Sequence, residues 1–268
     1  MKSVWLHERK SPDVKQYLEE NDIIILPVGS TEQHGAHLPI GTDSLAAIYL
    51  AEEAAKKAQV LVAPPCWYGW APHHMSYPGT ITLSAQTLIT VLEDIATSLV
   101  FHGFKKIVLL NGHRGANNPP LDILASRVRN RTGALVVVAD PFFIAQEQTE
   151  EMLGGEEGII GHAGGVETAH MLYLRPELVD LDGIQHNREV QQGYFSPNPY
   201  SRRNRVTAPS SIDSFRAKSE PLGHTGDPTW ATKERGEKYH EFVVAELVQL
   251  IDSLRAISVT TKSVIPPV

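Results

Sequence analysis

The sequence predicts an α/β fold whose mostly parallel sheet is covered by helices on both faces. Short β-branched runs recur along the chain, and helix-period segments alternate with them. The most polar, glycine-punctuated stretches follow directly after those runs. In such folds ligands bind beyond the carboxyl ends of the strands, so these post-strand loops are where chemistry is expected.

Residues 22–29 (DIIILPVG) form an apolar run closed by proline and glycine, a buried strand. A polar loop follows to Asp43, then a helix over 44–57 and a short strand over 60–64. Residues 65–78 make an aromatic, proline-rich loop, and 79–83 (GTITL) read as another strand. Ser84 is an N-cap for a helix reaching His102, with apolar side chains at 88, 91, 92, 95 and 99 and Gly103 just beyond. Residues 106–110 are a strand, 119–130 a helix, 134–140 a strand and 167–174 a short helix. From 182 to 226 no period emerges, which marks a functional loop or an oligomer contact, and 229–254 form a long closing helix. No repeat or linker divides the chain, so residues 1–268 are expected to be a single domain.

Composition narrows the class without naming a chemistry. With 42% hydrophobic and 21% charged residues the 268-residue chain buries a core and is not disordered. A net charge of −7 argues against a general nucleic-acid binder, which needs a basic face. No apolar run reaches membrane-spanning length, and the first residues lack the apolar stretch of a secretory signal. One cysteine, Cys66, excludes an internal disulfide. A cytosolic protein with no membrane or nucleic-acid partner is the expectation.

Chemistry enters with the histidines. Glu32, His34, His37 and Asp43 share one post-strand loop, and their oxygens and imidazole nitrogens are ligands for Zn²⁺, Mn²⁺ or Fe²⁺. A carboxylate can also bridge two ions; the competing reading is a solvated loop. A second post-strand loop supplies His113 and Arg114, and a third, glycine-rich one supplies His162 and opens the helix bearing Glu167. Three loops carrying ligand-type residues favour the metal reading. His37 reads as a group behind the ligands, and His170, His186 and His240 as packing or surface residues. Trp67, Tyr68, Trp70, His73, His74, Met75 and Tyr77 line one loop, either as a pocket wall or as packing against a neighbouring subunit. Arg114 either binds an anionic or carbonyl group of a substrate or pairs with an acid such as Asp122. A metal-free nucleotide-binding fold is disfavoured, because the first strand is followed by no glycine-rich fingerprint.

Four segments, Gly29-Ser-Thr-Glu-Gln-His-Gly-Ala-His-Leu-Pro-Ile-Gly-Thr-Asp43, Asn111-Gly-His-Arg-Gly-Ala-Asn117, Gly161-His-Ala-Gly-Gly-Val-Glu-Thr168 and Gly226-Asp-Pro-Thr-Trp-Ala-Thr232, resemble the creatininase (creatinine amidohydrolase) family. The resemblance implies a three-layer α/β/α domain with two divalent metal ions per chain, Zn²⁺ first and Mn²⁺ or Fe²⁺ next, assembled as a homohexamer. Carried over position by position, it implies that Glu32, Asp43 and His113 hold one ion and His34, Asp43 and Glu167 the other. His162 matches the proton-shuttling histidine, with Glu167 beside it in the catalytic set. The implied activity is a metal-dependent hydrolase opening an amide-type C–N bond of a small polar molecule; the alternative is carbon–carbon hydrolysis of a keto-inositol ring. Substrate contacts are expected from Arg114, Trp70, His73, His74 and Tyr77. Creatinine itself is not expected: the family enzyme's extra metal-binding glutamate, lid tryptophan and tyrosine correspond here to Gly115, Gly158 and Arg114. Gly165 also stands where many relatives carry glutamate. The missing acid at Gly115 motivates a rival class, a binding or regulatory protein that keeps the fold without activity.

Overall fold

A computed structural model describes residues 2–156, 158–186, 206 and 208–267. In chain order the elements are α1 (Ser11–Glu20), β1 (Ile23–Val28), α2 (Thr42–Ala58), β2 (Leu61–Val62), α3 (Ala85–His102), β3 (Lys106–Asn111), α4 (Asn118–Thr132) and β4 (Leu135–Ala139). They continue as α5 (Pro141–Ile144), α6 (Gln146–Leu153), α7 (Gly165–Leu174), α8 (Ile212–Ser219) and α9 (Lys233–Arg255). The sheet runs β2-β1-β3-β4 with every pairing parallel, Ile24 opposite Ile107 and Val108 opposite Val137.

Strand side chains point alternately to the two faces, and both faces are apolar here. Ile23, Ile25, Val108 and Leu110 pack with Leu50 and Ala54 of α2 and Val243 and Leu247 of α9. Ile24, Leu26, Ile107 and Leu109 face the other way, against Leu88 and Leu92 of α3 and Leu121 and Leu124 of α4. Helix, sheet and helix thus stack as three layers, as expected. Among the described residues no helix is long and apolar enough to cross a membrane.

Three local expectations change. Residues 79–83 are not a strand: Ile81 bridges Thr31 and Thr82 bridges Gly69, each a single pairing with a loop residue. An extended pentapeptide without a neighbouring strand gains no ladder. The closing helix starts at Lys233 rather than 229, because the Thr232 side chain accepts the Arg235 N–H and caps it there, after a 3₁₀ turn over Pro228–Trp230. The aperiodic stretch holds α8 near its end, and residues 187–205 and 207 lie outside the described residues.

Candidate metal centre

The ligand-bearing segments meet where the parallel strands end. β1 delivers Ser30 and Glu32, and β3 runs into Gly112 and His113. Asp43 occupies the first turn of α2, where partial positive charge at a helix N-terminus favours an anion. Glu167 lies in the first turn of α7 by the same logic. Asparagines brace the loops. Asn111 Oδ1 accepts the His113 N–H (3.0 Å), and Asn117 Nδ2 donates to the Gly29 carbonyl (3.1 Å), tying the ends of β1 and β3 together.

One close approach sets the spacing. A Cβ on Gly112 would lie 2.0 Å from the carbonyl oxygen of Asp43, so only glycine lets β3 come this near α2. Gly112→Ala is therefore expected to destabilise the fold by about 2–3 kcal/mol, read as a lower urea midpoint. Cation affinity should fall with it.

The resulting cluster is tight and buried. His113 Nδ1 lies 3.1 Å from Glu32 Oε2 and 3.0 Å from Asp43 Oδ2. His34 Nε2 is 3.2 Å from Asp43 Oδ1, while its Nδ1–H donates to the Glu32 carbonyl (3.1 Å). That backbone bond keeps a proton on Nδ1 and leaves Nε2 as the nitrogen available to a cation once its own proton is lost, as in metal-ligating histidines. Among the described residues, three groups have ligand atoms within 4.8 Å of one another: Glu32, Asp43 and His113; His34, His162 and Glu167; and Glu32, His74 and His162. The first is the set implied for one ion. The second contains His34 and Glu167 of the other, with Asp43 in contact through His34.

The donor chemistry fits divalent cations. Glu32 Oε1, Asp43 Oδ2 and His113 Nε2 are buried without a hydrogen bond among the described residues. Three carboxylates in so small a buried volume need positive charge. Without metal, protons supply it. Burial holds the Glu32 carboxyl above its usual range and takes Glu167 up to about 7. Burial alone would lower His34, but the Asp43 carboxylate overrides it and raises the imidazole to about 9. Burial likewise works against His113, yet Glu32 and Asp43 hold it well above the ordinary histidine value. At neutral pH, therefore, His34 and His113 must lose protons to bind a cation. Cation uptake at pH 7.5 is expected to release protons, with apparent affinity rising as pH rises toward 9; calorimetry in buffers of different ionisation heat measures the number released.

His162 is arranged differently. Its Nε2–H donates to the Gln33 carbonyl at 2.6 Å, leaving Nδ1 unprotonated and 3.6 Å from Glu32 Oε1. Burial and nearby His34 hold this imidazole well below the ordinary value, so it is neutral. Behind it, the Ala163 N–H donates to Glu167 Oε2 (2.6 Å), and His37 Nε2 contacts the Ala163 carbonyl and the Thr168 hydroxyl. His37 thus braces the glycine-rich turn, the supporting position expected of it.

A cavity of about 260 Å³ opens over the cluster. Glu32, Asp43, His113, His162 and Glu167 form its floor, and Arg114, His73 and Lys218 are among its other lining residues. Of the expected substrate contacts, Arg114, His73 and His74 face this cavity. Trp70 and Tyr77 are not among its lining residues: Trp70 is partly buried against the core layer of α3 and α4, and the Tyr77 hydroxyl bonds Ser219 (2.8 Å). His74 is deeper than a substrate contact, its Nε2 lying 3.2 Å from Glu32 Oε1. Arg114 pairs with Asp140 (3.9 Å) rather than Asp122, and its guanidinium lies over the rings of Phe142 and Phe143. Phe215 and Lys218 of α8 lie in a stretch without sequence period, and no motif marked them.

Two histidines expected to be packing or surface residues are joined. Buried His170 donates Nε2–H to His240 Nδ1 (2.9 Å), and His240 Nε2–H donates to Glu53 Oε2 (3.0 Å), linking α7, α9 and α2. His186 likewise meets Asp227 at 3.1 Å.

The family model described as creatinine amidohydrolase matches residues 7–251. The chain belongs to the creatininase family. Among curated creatininase relatives, 3-dehydro-scyllo-inosose hydrolase of Thermotoga maritima is 33% identical over 66% of this chain, spanning 58% of its own length. Creatinine amidohydrolase of Pseudomonas putida is 30% identical over 83% of this chain and 91% of its own. A solved structure titled Creatininase Mn superposes with TM-score 0.75 at 26% identity, covering 96% of this chain and 100% of that one. A creatininase variant described as Zn-Zn type gives 0.75 at 27% identity, again over 96% and 100%. The fold is thus that of creatininases, and this chain is a hydrolase of that family. Two departures from the family pattern have visible settings. Beside Gly115 there is open space where the extra glutamate would stand, whereas a Cβ on Gly165 would come within 2.6 Å of the Ile159 side chain.

Proposed function

We propose that the protein is a dinuclear-metal-dependent hydrolase that cleaves an amide-type C–N bond, cyclic amide or formamide, in a small polar molecule other than creatinine. The observation carrying this reading is the buried, overlapping ligand set of Glu32, Asp43 and His113 with His34 and Glu167 at the strand ends. Divalent cations held by these residues would supply Lewis acidity toward a carbonyl oxygen and lower the pKa of water.

The chain's own groups supply the rest. His162 Nδ1, neutral and aimed at the floor, accepts the proton that water loses as its oxygen adds to the carbonyl carbon. Returned to the departing nitrogen, that proton lets the C–N bond break and an amine leave. The Gln33 carbonyl on Nε2–H keeps the imidazole in the tautomer this transfer needs. Phe142, Ile160 and Phe215 wall the cavity and reduce bulk water around the reacting carbonyl.

Carbon–carbon hydrolysis of a keto-inositol ring is the second reading, favoured by the similarity to the inosose hydrolase of Thermotoga maritima. Both reactions begin with addition of water to a carbonyl, so the products discriminate them. Protein purified without chelators is assayed for metal content and then against lactams, formamides and cyclic keto-polyols. About two ions per chain with release of amine or ammonia supports the first reading, and ring-opened acid without amine supports the second. No ions, and none taken up from added Zn²⁺ or Mn²⁺, would overturn both.

A further inference from the structure

His74 belongs to neither ligand set implied for the two ions, yet it is buried against the cluster at the end of a 3₁₀ turn over Pro72–His74. Phe215 meets its ring at 4.3 Å between centroids, and the His162 ring lies at 4.1 Å. Its backbone is clamped as well. The Thr80 hydroxyl donates to the His74 carbonyl (3.2 Å) and accepts the Gln33 N–H (3.1 Å). A ring locked by packing and by a braced backbone keeps one orientation.

The surrounding hydrogen bonds decide where its proton lies. A backbone N–H can only donate, so the Gly35 N–H at 3.0 Å turns the Gln33 side-chain oxygen toward Gly35. The Gln33 amide nitrogen is thereby turned to His74 Nδ1, 3.0 Å away. That nitrogen has only protons to give, so Nδ1 accepts. It also stands 3.0 Å from His162 Nε2, whose own proton goes to the Gln33 backbone carbonyl. An imidazole that accepts at one nitrogen is neutral and carries its proton on the other. His74 therefore presents Nε2–H, and no lone pair, to the cluster.

That nitrogen lies 3.2 Å from Glu32 Oε1, a buried oxygen with no aligned hydrogen bond among the described residues. Of the two imidazoles beside Oε1, only His74 brings a proton; His162 Nδ1, at 3.6 Å, brings a lone pair. The other oxygen has different neighbours. Oε2 accepts the Ser30 hydroxyl (2.8 Å) and lies 3.1 Å from His113 Nδ1, within the first ligand group.

We infer that His74 is a positioning residue for the cation site: its Nε2–H holds Glu32 Oε1, so that Glu32 offers a cation Oε2 alone. The group of Glu32, His74 and His162 is then not a third cation position, although its atoms stand close enough for one. Donors of this kind orient ligating carboxylates, and losing one costs about ten- to a hundredfold in metal affinity. Binding through one oxygen also leaves room on a cation for water or a substrate carbonyl. The inference rests on the metal-hydrolase reading.

Two measurements test it. In unaltered protein carrying isotope-labelled histidine, long-range proton–nitrogen spectra identify the tautomer of each ring; the His74 signals are those missing from His74→Gln. His74 is expected to carry its proton on Nε2 both before and after Zn²⁺ is added. A proton on Nδ1 instead, in either state, would overturn the inference. Zn²⁺ affinity is then read by chelator competition. His74→Leu, which keeps bulk without a donor, should bind about ten- to a hundredfold more weakly. His74→Gln, whose amide N–H reaches the Nε2 position, should recover most of that loss, and His74→Asn, whose amide stops at the Nδ1 position, should not. Undiminished affinity in His74→Leu, no recovery in His74→Gln, or equal recovery in His74→Asn would each refute the positioning role. If the unaltered protein takes up no cation, the metal reading falls instead, and the tautomer in the absence of Zn²⁺ still tests the position of the proton.

Discussion

Asp43→Ala is expected to leave fewer than one ion per chain and to lower turnover by about a thousandfold or more, since a shared ligand serves both halves of a two-ion site. Asp43 Oδ1 faces His34 at 3.2 Å and its Oδ2 faces His113 at 3.0 Å. Those imidazoles belong to different ligand groups, so one carboxylate links both. The two histidines also hold Asp43 ionised well below the usual carboxylate range, against the opposing effect of burial. In the metal-free protein the alanine variant would strand two buried imidazolium groups beside fewer anions, so its thermal midpoint should fall even after chelation. Asp43→Asn keeps the volume and separates packing from charge. Elemental analysis is decisive: two ions retained in both variants would remove Asp43 from the ligand set.

His162→Ala should behave in the opposite manner, keeping its metal and losing kcat by roughly 10²–10⁴-fold, the usual contribution of a positioned acid–base group. The tautomer fixed by Gln33 leaves Nδ1 free of a proton, and the neutral imidazole suits a base. His162 nevertheless stands within ligand range of Glu32 and His74 on one side and of His34 and Glu167 on the other. Metal content therefore distinguishes its roles. Retained ions with collapsed kcat identify a proton carrier, whereas loss of an ion makes His162 a ligand.

These expectations were legible in the sequence to different degrees. The β-branched runs at 22–29 and 106–110 and the polar loops after them were readable because strand burial on both faces leaves an unbroken apolar run. Glu32, His34, Asp43 and His113 followed, being tied to strand ends. His74 did not. It lies 42 positions from Glu32, within an aromatic loop whose route over the sheet depends on single bridges such as Gly69 to Thr82. Helix α1 escaped notice because none of its residues is buried, so it imprints little apolar period on the chain. Lys218 was hidden for a related reason: α8 buries only Phe215 and Ser219, too few to show a repeat. The pairing of His170 with His240 spans seventy positions and exists only once α7 lies on α9.

That pairing has a consequence for motion. The two imidazole N–H protons on the path from His170 through His240 to Glu53 are shared with acceptors on other helices, and His170 is buried. Exchange of the inner proton is expected to be governed by α7 lifting from α9. Glu167 rides on α7 one turn before His170, and Asp43 rides on the helix that carries Glu53. The lifetime of that imidazole proton in exchange with deuterated water is therefore a clock for the opening of α7, the helix that carries Glu167, one of the three floor carboxylates. Cation binding should slow it.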